Sequence, residues 1–362
     1  LRAIIPHGQY RFSDEIETDG QGNGPFRIAM ELRVGDNGVV LDFSGSDDQA
    51  PGPINYLLNP AVPRAMLGMY LLAGDRTLPL NSGAGRAVDE VILRQGSLLQ
   101  PDWPAPLGQR GLTMMRLLSA TMGLINAAGG SSTAANCPYV IYFARGLDAA
   151  GEPFLLTDGV GVGYGARPFA DGIDAVYYIA QENYPVELME HTFPVRIRSY
   201  GIHRDSGGAG RWRGGCGVIR EIEVLAEKAT IAIRVDGAES PAWGVGGGIN
   251  GGAGRAIVNP GHNNERQLDP LSDGNELFRG DIMRLETGGG GGWGHPFDRE
   301  PEQVLADVRG GFVSQAMAEQ QYGVVLSVDG LAVEASATET RRQDRPDVAG
   351  LFHRGGYRDE LT

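Results

Sequence analysis

Apolar and polar positions alternate over residues 27–34 and again over 39–43, with Gly35-Asp36-Asn37-Gly38 between the two runs. Period-two alternation around a turn of Gly, Asp and Asn predicts a β-hairpin. Ala61, Met66, Leu67, Met69, Tyr70 and Leu71 predict a helix over 60–72, stopped by Gly74. The crossing at 101–106 holds three prolines and is excluded as a central strand. After it, Met114, Met115, Leu117, Leu118, Met122 and Leu124 mark a buried helix over 112–125, with Arg116 set among them. Strand patterns return at 154–158, 194–198, 218–224 and 230–235, and the last two form a second hairpin candidate. Pro301, following Asp298 and Arg299, opens a helix through Val304, Leu305 and Val308, and Ser314 is placed to cap a short second one. The charged run 341–346 is expected to be a mobile tail. No fixed-period repeat occurs, which excludes a solenoid. The expected fold is α+β: mixed and glycine-rich, with largely antiparallel sheets and a few packed helices. Its expected segments are a hairpin and helical part over 1–150, a glycine-rich β region over 151–300, and C-terminal helices and tail over 301–362, packed as one unit.

Composition sharpens this picture. The chain has 362 residues, of which 56 are glycine, about twice the usual ~7%. That is a folded protein of many turns with ample chain to bury a core. No run of 18 apolar residues exists, so no membrane span is expected. The opening Leu1-Arg2-Ala3-Ile4-Ile5-Pro6 has neither the order of a signal peptide nor an initiator Met, and the sequence is expected to begin inside a longer polypeptide. The net charge of −14 is opposite to that of a phosphate-backbone binder and excludes nucleic acid as the expected partner. Lys228 is the only lysine, and it follows no glycine loop, so there is no Walker A motif. Cys137 and Cys216 match neither a disulfide framework nor a zinc knuckle, which makes a reducing cytoplasm the default.

Several motifs admit two readings. Residues 288–292 are five consecutive glycines followed by Trp293-Gly294-His295-Pro296. Their N–H groups could cradle an anion, or the segment could be a tight loop turning a strand under Trp293, which is the commoner use. In Asp205-Ser206-Gly207-Gly208-Ala209-Gly210-Arg211-Trp212-Arg213, the arginines could clamp a carboxylate or pair with Asp205, and pairing is the expectation. Asp171, Asp174, Glu182, Glu187 and Glu190 offer oxygens to a hard cation or to the chain's many arginines. Asp42, Ser44, Asp47 and Asp48 suit catalysis and turn capping equally. His295 is expected at the surface, and Cys216, between two glycines, is expected to be accessible. No histidine pair has zinc-helix spacing and no Gly-x-Ser-x-Gly elbow occurs, so serine-hydrolase chemistry is unsupported.

Taken in order, these strings resemble the hydantoinase B family. The residues that carry the resemblance are Asp42-Phe43-Ser44-Gly45-Ser46 with Gly52-Pro53-Ile54-Asn55, and Gly161-Val162-Gly163-Tyr164-Gly165-Ala166-Arg167-Pro168 with Asp171-Gly172. They continue through Asn183 with Pro185-Val186-Glu187, Arg204 to Gly215, Trp243-Gly244 with Gly246-Gly247-Gly248, Gly288 to Pro296, and Tyr322-Gly323-Val324-Val325-Leu326. The resemblance implies a B-type subunit of an ATP-dependent amide-ring hydrolase of the hydantoinase or 5-oxoprolinase kind. A separate A-type subunit would bind ATP and phosphorylate the substrate's carbonyl oxygen, so the partners implied are that subunit, in a hetero-oligomer, and a small-molecule substrate. It also implies a His/Asp motif for a divalent metal (Mg, Mn or Zn) in a segment upstream of Leu1. Many members carry an acid where this chain has Ser119. Two alternatives stay open: the alpha subunit of an acetone carboxylase-like enzyme, and a non-catalytic scaffold for the A-type subunit. The site residues expected on this basis are Asp158, Asp171, Glu182 and Glu187 as catalytic groups, with Arg167, Asn183 and, as an anion partner, Arg116 on the substrate.

Overall fold

The computed structural model describes residues 4–72, 82–177, 182–348 and 350–355. Gly74, expected to end the first helix, lies outside them. The chain divides into two compact units, one up to Ala135 and one over Asn136–Gly355.

The first unit is built on strands β1 (Gly8–Ile16), β2 (Phe26–Gly35), β3 (Gly38–Asp42) and, after helix α1 (Ala61–Leu72), β4 (Glu90–Ile92), followed by helix α2 (Arg110–Ala127). The sheet order is β1-β2-β3-β4, antiparallel except for the β3/β4 pair. The expected hairpin is β2/β3. Its alternation buries Ile28, Met30, Leu32 and Val34 and turns Arg27, Ala29, Glu31 and Arg33 to the opposite face. Helix α2 packs on β1 and β2, and a side chain at Gly123 would overlap the Phe12 ring.

The second unit contains β5 (Val140–Leu147), β6 (Pro153–Gly159), α3 (Val186–Thr192), β7 (Val195–Ile202), β8 (Val218–Val224), β9 (Lys228–Val235), β10 (Gly244–Val245), β11 (Arg255–Val258), β12 (Arg266–Gln267), β13 (Leu271–Phe278) and β14 (Ile282–Glu286). Helices α4 (Pro301–Arg309), α5 (Gln315–Tyr322) and α6 (Ala335–Gln343) and strand β15 (Phe352–His353) complete it. One sheet has the order β12-β11-β14-β8-β7 and the other β13-β9-β5-β6. Val218, Ile222 and Met283 of the first share one apolar core with Tyr142, Leu156, Ile231 and Ile233 of the second. The expected hairpin of β8 with β9 is therefore corrected. Each strand has its own buried face, and residues 225–227 carry the chain from one sheet to the other, so the two strands meet face to face through side chains. With these sheets and helices the fold is α+β.

The glycines form something that strand or turn assignments do not describe. Residues 288–292 are neither helix nor strand. Their successive backbone groups bond to different neighbours: Gly288 O accepts from Gly163 N, Gly289 N donates to Gly252 O, Gly290 N to Gly215 O, and Gly292 N to Ile249 O. A pleated strand reaches only two neighbours, whereas an extended chain with three residues per turn reaches three. A Cβ on Gly163, Gly208, Gly214, Gly251, Gly290 or Gly292 would run into the backbone of an adjacent segment. The loop reading of 288–292 is corrected: it is the centre of a backbone-packed bundle. The N–H groups of Gly289, Gly290 and Gly292 are spent inside that bundle, so the segment is no anion cradle.

The C-terminal helices cover this region through Val304, Val313, Ala318, Tyr322 and Val324. Ser314 caps α5 as expected, its hydroxyl accepting from Met317 N at 3.2 Å, and Gly323 closes the helix in the left-handed region at φ 62°. The expectation of a mobile tail over 341–346 is corrected. Arg341 belongs to α6, Arg342 donates to the carbonyls of Tyr322 and Arg299, and Arg345 pairs with Asp298 at 2.6 Å.

A candidate active site at the edge of the sandwich

Strands β6 and β7 end their respective sheets. In β5/β6, Tyr142 stands opposite Asp158, and in β7/β8, Tyr200 stands opposite Arg220. The two cross-strand pairs meet between the sheets. Arg220 Nη1 donates to Asp158 Oδ2 at 2.7 Å, and the Tyr142 hydroxyl donates to the same oxygen at 3.1 Å. Side-chain exposure is 0% for Arg220 and 1% for Asp158, so this ion pair is fully desolvated and neither partner is tolerated alone. Met189 of α3 closes over it, its sulfur 3.6 Å from Arg220 Nη2.

Outward from this pair, the Arg220 guanidinium lies 4.9 Å from the Tyr200 ring centroid. The Tyr200 and Tyr177 hydroxyls are 2.9 Å apart, and Tyr177 donates to Asn183 Oδ1 at 2.7 Å. Tyr200 and Asn183 are exposed, so the chain of polar groups runs from the core to solvent. Burial, and then the hydrogen bond and charge of Tyr200, push the Tyr177 phenol far above its ordinary range. Burial does the same for Tyr142, reinforced by the Asp158 charge. These phenols stay protonated at neutral pH and serve as hydrogen-bond donors, not as bases. The Asp158 carboxyl is raised by burial, opposed by Arg220 and Tyr142, and its seclusion keeps it from acting on a bound molecule directly.

The expected site residues fall into separate groups. Asp158 and Asn183 belong to the cluster just described, with Glu182 adjacent in the chain and Glu187 in the first turn of α3. Both glutamates are exposed. Asp171 lies in a second cluster, held bidentately by Arg299 at 2.7 and 2.8 Å. Burial raises its carboxyl, but the hydrogen bonds and charge of Arg299 outweigh this and leave it below the usual range. Arg299 also grips Asp307, and Arg213 pairs with Asp174 at 2.9 Å and Asp307 at 3.4 Å, tying residues 171–174, 213 and 299–307 together. Arg167 joins this group by donating to the Asp171 carbonyl at 2.8 Å. Arg116 belongs to the first unit, buried with Asp14 at 3.7 Å and Glu17 at 3.6 Å.

Other expectations are corrected. Asp205 accepts from Ser314 N rather than from Arg211 or Arg213. Cys216 is fully buried, its thiol pushed up by desolvation, and Cys137 is likewise buried; both are free. His295 is buried as well, with Nδ1 accepting from Phe297 N and Nε2 2.9 Å from Pro346 O, because it caps the turn after the bundle. Asp42 accepts from Ser44 N and Asp47 from Arg27 N, the capping half of the open pair of readings. Among the described residues, no group of three or more His, Cys, Asp or Glu side chains converges as a metal site requires. The described residues therefore assemble no divalent-metal site. Tyr142, Tyr177, Tyr200 and Arg220 were not anticipated. Arg220 had a readable signal, since it shares the inward face of Val218, Ile222 and Val224 and so needs a buried acid.

The sequence and the fold place the chain in a known class. Residues 1–296 match the hydantoinase B/oxoprolinase family model, and the chain belongs to that family. It is 29% identical over 94% of its length to caprolactamase subunit beta from Pseudomonas jessenii, covering 61% of that protein. The crystal structure of the ATP-dependent caprolactamase from the same organism matches with TM-score 0.76 and 26% identity, over 94% of this chain and 60% of that one. The nucleotide-free structure of acetone carboxylase matches with TM-score 0.77 at 20% identity, over 94% of this chain and 53% of that one, a likeness of fold. The chain spans 55 to 61% of the length of the first curated relatives it matches. Among the described residues, no helix is long and apolar enough to cross a membrane.

Proposed function

We propose that this chain is part of the B-type subunit of an ATP-dependent amide-ring hydrolase, acting on a cyclic amide whose carbonyl oxygen an A-type partner has phosphorylated. The observation that carries the reading is the Tyr177/Tyr200 pair, two phenol hydroxyls 2.9 Å apart above a buried guanidinium. Water adding to the phosphorylated carbon sends the C=N electron pair to the ring nitrogen, and loss of the proton from the new hydroxyl then places negative charge on that oxygen as the C–N bond breaks, a charge that fixed hydrogen-bond donors stabilise. Asn183 orients the substrate, and on its binding the Tyr177 O–H turns from Asn183 Oδ1, and the Tyr200 O–H from Tyr177, to the substrate oxygen. Glu182 takes the proton of the attacking water, being the exposed carboxylate nearest Asn183 in the chain. Asp158, Arg220 and Tyr142 act as positioning residues that hold Tyr200. The balance requires two waters: one adds to the carbon as the ring C–N bond breaks and the nitrogen takes a proton, leaving an acyl phosphate, and the second releases inorganic phosphate. The likeness to a caprolactamase over nearly the whole chain favours a lactam or related cyclic amide over a ketone.

The test uses the complete B-type polypeptide assembled with its A-type subunit, ATP, and a panel of caprolactam, 5-oxoproline, hydantoin, and acetone with bicarbonate. Ring opening of one cyclic amide is expected, with Tyr200→Phe lowering kcat by about 10²-fold, the usual cost of one such donor. Consumption of acetone only with bicarbonate, or an unchanged rate in Tyr200→Phe, overturns the reading.

A further inference from the structure

In the sheet of the first unit, Leu32, Leu41 and Val91 stand in one cross-strand row and share a face. Helix α2 covers that face over β1 and β2. Thr113, near the start of α2, donates to Ile54 O, which brings the segment that follows to the same side of the sheet. Tyr56 N and Leu58 N donate to the carbonyls of Leu98 and Leu99 and fix this segment in place. Between it and β4, the last strand of the sheet, lies a groove of about 720 Å³, within the size of ligand sites. Leu57, Leu58 and Pro60 line one side, and Val91 and Leu93 the other. Leu93 faces the groove because it alternates with Arg94, which turns away to bond Ser44 O and Asp48.

The polar side chains of the lining are all carboxamides. Charged residues make up 21% of the chain, yet none lines this groove. Asn59 accepts from Ala61 N through Oδ1, which leaves its Nδ2 as a donor. Gln95 donates to Asp102 at 2.6 Å, which leaves its Oε1 as an acceptor. Gln100 keeps both. Its backbone is held by Ser97 and Gly96, while its side chain makes no hydrogen bond among the described residues. A donor and an acceptor side by side on one planar group match a partner that offers N–H and C=O on one edge. An extended peptide does so at every second residue, as antiparallel strands show when one pair of residues exchanges both bonds. Its side chains then point alternately into the groove and out of it. A charged side chain entering the groove would lose its water and gain no counter-charge.

We propose that this groove receives an extended, uncharged stretch of a partner polypeptide, its backbone bonded to the Gln100 carboxamide and every second side chain, an aliphatic one, packed against Leu58, Val91 and Leu93. Among the described residues β4 has β3 as its only strand neighbour, so the mode is strand addition at an open edge, with main-chain bonds supplying affinity and alternate side chains supplying specificity. The surface lies wholly in the first unit and does not depend on the function proposed for the tyrosine cluster.

The test is selection from a displayed library of random heptapeptides on the full chain, followed by fluorescence polarisation with an enriched segment, acetylated and amidated at its ends. The enriched segments are expected to be uncharged, with aliphatic residues at alternate positions. A lysine at one of those positions of the segment is expected to weaken binding by about tenfold or more, and so are Gln100→Met and Leu57→Glu on the protein, with an unchanged circular dichroism spectrum. Leu57 is 57% exposed, so its variant carries the test even where Gln100→Met fails to fold. Enrichment of no segment, enrichment of charged segments, or full affinity in either folded variant overturns the proposal. Displacement of the segment by caprolactam at a comparable concentration assigns the groove to a small neutral amide and also overturns it.

Discussion

Replacing Arg220 by Met isolates the buried charge on which the tyrosine cluster rests. The two side chains have similar length, so the change removes charge with little loss of volume. It leaves Asp158, 1% exposed, with the Tyr142 hydroxyl as its remaining hydrogen-bond donor. Breaking one half of a buried pair costs about 3–5 kcal/mol. Protonation sets a ceiling, because holding a carboxyl of ordinary pKa ~3.9 neutral at pH 7 costs about 4 kcal/mol, at 1.36 per unit. The expected loss at pH 7 is therefore about 3–4 kcal/mol. Its pH dependence follows from linkage: the folded variant binds a proton that the unfolded chain does not, so stability falls as pH rises above the unfolded value. At pH 5 the ceiling drops to about 1.5 kcal/mol. Urea unfolding followed by circular dichroism at both pH values measures the difference. The double variant Asp158→Asn/Arg220→Met keeps an acceptor for Tyr142 and removes both charges, and is expected to recover most of the loss. A deficit equal at pH 5 and pH 7, or a double variant no more stable than Arg220→Met, refutes the reasoning.

Further predictions follow from the bundle and the second ion-pair cluster. Gly290→Ala drives a methyl into the backbone of Tyr164 and Gly165, which cannot rotate away, and is expected to cost about 3 kcal/mol or more. Gly201→Ala, in open space at an ordinary φ, is expected to stay within about 0.5 kcal/mol. Equal urea midpoints for these two variants contradict the packing described. The Asp171 carboxyl, lowered on balance by Arg299 against its burial, contributes stability that is present above the unfolded pKa and lost as pH falls through the folded one. Asp171→Asn is thus expected to flatten the acid limb of the stability curve below about pH 4, and an unchanged limb in unfolding scans argues against the pair.

Local elements were legible where one period dominated. The β2/β3 hairpin, α2, and the Ser314 cap followed from alternation, helical spacing and a capping hydroxyl. Partner choice was not legible, since β8 and β9 are adjacent in sequence and carry equally good strand patterns whether they pair edge to edge or face each other across a core. The glycine bundle was misread because glycine's usual roles are local turns, whereas here its missing side chain admits a neighbouring backbone from a distant segment. Asp158 and Asn183, expected on the family resemblance, lie together in the tyrosine cluster. Their partners Tyr177 and Tyr200 meet only because α3 and the end strands converge, and no local spacing encodes that. Asp171 and Arg116 were noted for their charge, and each proved to be held by opposite charges within its own unit.

The central claim is that the tyrosine cluster performs ring opening on a substrate activated elsewhere. It is tested most directly by a single turnover of the assembled complex carrying Tyr177→Phe/Tyr200→Phe, following ADP and ring-opened product separately. The account predicts that ADP forms at the unmodified rate while product formation falls by about 10²-fold or more. Product formed at the unmodified rate, or ADP formation falling in step with product, would contradict it.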